Sequence, residues 1–99
     1  MLSPIKIDYI NYKDISLKAK KEFIVNLEFD EIDEFIYTTN EVEEYGISVY
    51  GETVEDIIFE LNLQVAVLWA AYAKELDQNL SEDAKKLKYK LLETFEEIK

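Results

Sequence analysis

The chain has 99 residues, 48% of them apolar and 33% charged, enough for one domain with a single core and too apolar for a disordered segment. It contains no cysteine and no histidine, which excludes disulfides, thiolate metal sites and imidazole acid–base chemistry. The net charge is −11, all eleven cations are lysines, and residues 22–73 carry thirteen carboxylates with no lysine or arginine, so direct binding of DNA or RNA is disfavoured and a basic partner is attracted.

The opening stretch "MLSPIKIDYINYKD" lacks the charged-then-apolar pattern of an export signal, and a cytoplasmic location is the expectation. "PIKIDYINY" reads as a first strand, about residues 4–12, and "YKDI" turns it back into a second, about 16–29. In the second strand Phe23, Val25, Leu27 and Phe29 fall on one face and Ile24, Asn26 and Glu28 on the other, the period of two that marks a half-buried strand. "DEID" is a polar reversal. "EFIYTT" (about 34–39) is a third strand, rich in aromatic and β-branched residues. "NEVEEY" is an acidic connector, and "GISVYG" (about 46–50) is the fourth strand. The connections are short, so an antiparallel meander is expected.

Gly51 ends the sheet. Thr53 stands at a helix N-cap position with Asp56 three residues on, a capping box in which Asp replaces the usual Glu. The helix, about 53–76, carries one apolar stripe at Val54, Ile57/Ile58, Leu61, Val65, Leu68 and Tyr72. A second runs through Phe59, Leu63, Ala66, Ala70 and Ala73. Asn62 and Gln64 interrupt its greasiest stretch, so a membrane span is not expected. Two stripes need two covers: the sheet for one, and for the other a second helix. Ser81 caps that helix, about 81–98, and its stripe is Ala84, Leu87, Leu91, Phe95 and Ile98. A homodimer through the long helix is the alternative cover. The expected fold is a single α+β domain over residues 1–99, a four-stranded antiparallel meander with two C-terminal helices packed on one face.

The segment "FIYTTNEVEEYGISVYGETVEDII" resembles the core of HicB-like antitoxin domains, in which an aromatic strand, a loop and a glycine-led strand precede a "G-x-T-x-E" helix opening. Gly51, Thr53 and Glu55 match that element and Gly46 matches the glycine before the last strand. The likeness covers about a quarter of the chain well. It implies a degenerate ribonuclease-H-like β-β-β-α fold without catalysis, and binding to a toxin. "VEEYG" stands where the family has "DLPG", and one helix follows where members often carry a DNA-binding unit.

Among candidate sites, the acidic loop "EFDEIDEF" lacks the glycine and closing glutamate of a calcium loop. It reads as a solvated reversal or a partner-facing loop holding Asp30, Glu31 and Asp33. Glu41, Glu43 and Glu44 of the connector extend the same negative surface. On the sheet face away from the helices, Ile24, Ile36 and Tyr50 are expected to form an apolar patch inside that charged rim, as at a protein interface. "KKLKYK" spreads its lysines around a solvated helix face. Asp8 and Glu28 are the acids on strands, and nothing else supports carboxylate catalysis. No cofactor and no metal are expected. The function these features favour is non-enzymatic: an antitoxin or immunity protein neutralising a basic protein partner. A nucleic-acid mimic of the phage type, inhibiting a host nuclease, is the alternative.

Overall fold

The computed structural model describes residues 2–98, apart from the side chains of Asn40, Glu41 and Glu43. The chain runs through β1 (Ile5–Lys6), β2 (Tyr9–Tyr12), β3 (Ile15–Ala19), β4 (Ile24–Val25), β5 (Leu27–Asp30), β6 (Phe35–Thr38), a 3-10 segment (Asn40–Tyr45) and β7 (Tyr50–Gly51). Helix α1 (Val54–Leu68), a π-helical turn (Trp69–Ala73), a short 3-10 turn (Asp77–Asn79), α2 (Glu82–Thr94) and β8 (Phe95–Glu97) follow. The fold is α+β with antiparallel pairing, but its strands form three small sheets, β1-β4, β2-β3-β8 and β5-β6-β7, in place of one four-stranded meander.

The break has a local cause. Tyr9 pairs with Lys18 and Lys6 with Ile24. Two residues of the first arm therefore face five of the second. The surplus is the polar run Lys20–Glu22, which cannot join a half-buried ladder without burying charge. Beyond it β4 leads through Asn26 into β5, which pairs with β6: Leu27 with Thr38, Glu28 with Tyr37, Phe29 with Ile36, and Asp30 with Phe35. The two diverted lysines are tied to α2. The Lys20 main-chain N–H donates to the Thr94 carbonyl at 2.7 Å, and its ammonium donates to the Leu92 carbonyl at 2.9 Å. Carbonyls at a helix C-terminus lack intrahelical donors and carry partial negative charge, so a lysine is a fitting cap.

That cap coincides with a second departure. The helix expected over 81–98 stops at Thr94, and residues 95–97 form β8 on the free edge of β3, with Ala19 opposite Phe95 and Leu17 opposite Glu97. Phe95 is fully buried and stacks edge-on against Phe23 at 5.2 Å between centroids.

The core gathers Ile10, Leu17, Val25, Ile57, Leu61, Val65, Leu91 and Phe95. Ile57, Leu61 and Val65 step by four along α1, and Trp69 continues the row. Thr53 closes the capping box with Asp56, each side chain taking the other's main-chain N–H, at 3.1 and 3.2 Å. Asn62, one of the polar interruptions, receives the Asn11 main-chain N–H at 2.6 Å and so ties α1 to β2. Along the second stripe Ala66 and Ala73 are buried, but Phe59 stays 58% exposed. Helix α2 packs mainly against the π-helical turn, and Phe59, which meets Tyr12 of β2, stays largely exposed.

Two positions carry clear energetic consequences. A Cβ on Gly51 would lie 2.7 Å from the Asp56 Cβ, so Gly51→Ala must push β7 away from the start of α1. The expected loss is about 1–3 kcal/mol in urea unfolding, and an unchanged midpoint would contradict the close approach. Thr94, fully buried, donates to the Lys90 carbonyl at 2.8 Å, which leaves its oxygen to accept from the Tyr45 hydroxyl at 2.7 Å. Thr94→Val strands that hydroxyl at a cost of about 1–3 kcal/mol. Adding Tyr45→Phe should recover much of the loss, and a strictly additive double variant would contradict the pairing.

Candidate aromatic and acidic groove

The β5–β6 hairpin has a built turn. The Asp30 carboxylate accepts from the Ile32 and Asp33 main-chain N–H groups at 2.9 and 3.0 Å, and Glu34 takes a left-handed conformation with φ 56°. The register with β5 then decides which face each β6 residue uses. "FIYT" is apolar at both parities, so the strand alone does not choose. Pairing of Leu27 with Thr38 and Phe29 with Ile36 turns Ile36 inward, where it is 7% exposed. Phe35 and Tyr37 therefore face out, and Tyr50, paired with Tyr37, joins them at 73% exposure. The Phe35 ring lies 5.9 Å from both Tyr37 and Tyr50, centroid to centroid.

At the edge of β7 these aromatics meet α1. A groove of about 760 Å³ opens there, with Phe35, Tyr50 and Phe59 as its apolar lining. Phe59 is held in place by an edge-on contact with Tyr12 at 6.2 Å. Asp33, Glu34, Glu52, Asp56 and Glu60 supply the carboxylates around it. Asp56 is engaged in the capping box. Among the described residues, none of Asp33, Glu34, Glu52 and Glu60 has a lysine partner. The lysines are used elsewhere: Lys21 with Glu93 at 2.6 Å, Lys74 with Glu97 at 2.9 Å, and Lys88 with Asp77 at 2.8 Å.

The shifted titrations lie away from the groove. The Lys88 ammonium and the Tyr89 hydroxyl hold the Asp77 carboxyl below its ordinary range, and Asp77 in turn raises Tyr89. Lys21 lowers Glu93 in the same way. Carboxyls held low contribute stability that is complete above the ordinary carboxylate range and is lost as pH falls through their folded-state values.

The residues expected at a partner surface are distributed unevenly. Asp33 and Tyr50 line the groove. Glu31 is exposed at the turn, and Asp30 is committed to shaping it. Ile24 is 38% exposed but sits in β4, in a different sheet. Ile36 is removed from the surface by the register. Glu44 forms an ion pair with Lys90, so α2 answers part of the acidic connector. The side chains of Glu41 and Glu43 lie outside the described residues. The groove residues that strand alternation did not single out are Phe35 and Phe59, with Glu34, Glu52, Asp56 and Glu60. Phe59 was legible only as a core position.

Among the described residues no group of His, Cys, Asp or Glu side chains is placed to hold a metal ion, and no helix is long and apolar enough to cross a membrane. In comparisons with known proteins, no family model, curated protein or solved structure matches the chain.

Unpaired like charges around one groove repel, and salt screens them. Raising sodium chloride from about 10 mM to about 500 mM should therefore raise Tm by a few degrees. Glu34→Gln combined with Glu60→Gln should reduce that salt dependence. A Tm that falls with salt would show that the lysine pairs elsewhere dominate the electrostatics.

Proposed function

We propose that this chain is a non-enzymatic, acidic protein-binding module that neutralises a basic protein partner, as an antitoxin or immunity protein does. The observation that carries the reading is the groove: three aromatic rings, two of them well exposed, inside a ring of carboxylates that have no lysine partner among the described residues. Exposed aromatics supply contact area at low entropic cost, and the carboxylates steer a positively charged partner toward them. The order β5, β6, β7, α1 with Gly51, Thr53 and Glu55 at the junction is also the arrangement that the HicB-like resemblance implies. A cytoplasmic setting belongs to the same proposal.

The experiment is affinity capture from the native host with three baits. These are the wild-type chain, a variant combining Asp33→Asn, Glu34→Gln, Glu52→Gln and Glu60→Gln, and a variant combining Tyr50→Ala and Phe59→Ala. A basic partner retained by the wild type, weakened about tenfold or more by the aromatic variant, and bound progressively less as salt rises is the expected result. A partner indifferent to the aromatic variant but lost with the carboxylates would support nucleic-acid mimicry instead. A partner that binds all three baits equally would remove the groove from the function.

A further inference from the structure

Beside the groove lies an unfinished sheet edge. Thr38 donates its main-chain N–H to the Val49 carbonyl at 2.9 Å, and its hydroxyl receives the Val49 N–H at 3.1 Å. Gly51 pairs with Ile36. Residues 49 and 51 thus spend their main-chain groups on β6. The alternation of an antiparallel strand turns the N–H and C=O of Ser48 and Tyr50 the other way. The side chains follow the same alternation, with Ile47 and Val49 buried and Ser48 and Tyr50 exposed. The sheet order ends at β7 on this side.

The space beyond that edge is a trough. The aromatic groove shares Tyr50 and Glu60 with a recess of about 280 Å³, which Ser48, Val49 and Gln64 also line. That recess shares Glu60 and Gln64 with another of about 310 Å³, reaching Gly46, Leu63 and Val67. Three hollows in a row therefore run between the 48–51 edge and the exposed side of α1. One wall offers main-chain hydrogen-bonding groups, the other offers Phe59, Leu63 and Val67, and the aromatic end is ringed by carboxylates. Such a trough fits an extended strand that carries cations: ladder bonds hold its backbone, and alternate side chains enter the hollows. A guanidinium suits the aromatic end, since it stacks on ring faces and takes carboxylates in its plane. A second copy of this chain suits it poorly, because it would bring further carboxylates to the same place.

We propose that the trough takes an extended, arginine-bearing segment of the partner as an added strand on the 48–51 edge, with an arginine side chain seated among Phe35, Tyr50 and Phe59. This rests on the basic-partner reading above and specifies how such a partner docks. The probe is a blocked peptide of about eight residues alternating arginine and valine. Its controls replace arginine by glutamate, or methylate the backbone nitrogens of one parity or of the other. Titration followed by amide hydrogen exchange should show binding by the arginine peptide and slowed exchange at the Ser48 and Tyr50 amides. One methylation parity should weaken binding by about tenfold or more and the other should leave it unchanged, because a strand on an edge uses one side only. Absence of binding by the arginine peptide overturns the proposal. So does equal tolerance or equal intolerance of the two methylated forms. Arginine-dependent binding that leaves Ser48 and Tyr50 exchanging freely overturns strand addition while leaving the basic-partner reading in place. Equal binding of the glutamate peptide overturns both.

Discussion

The layout depends on how three surplus residues are accommodated. Lys20, Lys21 and Glu22 cannot be paired within the N-terminal hairpin, and the chain spends the two lysines on the end of α2. Lys20 caps two carbonyls there and Lys21 takes Glu93. That anchorage ends the helix at Thr94 and delivers Phe95 to the free edge of β3. It also breaks the long second arm, so β5 turns to β6 instead of continuing along the first hairpin. The sheets are small because one polar insertion sits where a continuous sheet would need apolar alternation.

Much of this was legible and some was not, for reasons that differ by element. The opening of α1 was readable because its signals are local: Thr53 and Asp56 cap it whatever lies around them. The buried row Ile57, Leu61, Val65 was readable because a spacing of four survives in any packed helix. Residues 95–97 were misleading because Leu87, Leu91, Phe95 and Ile98 suit a helical stripe as well as Phe95 suits a strand. Only the distant Lys20 and the vacant edge of β3 decide between the two. The strand expected over 46–50 narrows to Tyr50–Gly51 as a ladder because the Thr38 hydroxyl stands in for a main-chain partner of Val49. No pattern in the 46–50 sequence announces that.

The candidate site divides along the same line. Its sign was readable from the lysine-free middle of the chain, and Tyr50 from its alternation with Val49. Its location was not. Strand alternation alone puts Ile36 on the outer face, and the register with β5 turns it inward. Phe59 reads as core on a helical wheel and stays largely exposed because α2 packs mainly farther along, on the π-helical turn. The apolar surface and the unbalanced charge end up together, so that a partner satisfying one must also meet the other.

The closing of β3 by β8 joins segments from opposite ends of the sequence. A chain emerging from its N-terminus makes β3 long before its neighbour exists, and contacts between such distant residues form late. Through that interval the β3 edge is a bare template for any extended segment, including one from another nascent copy. Lys18 in β3 and Lys20 just beyond it put positive charge along that edge, which discourages self-association until Glu96 arrives opposite Lys18.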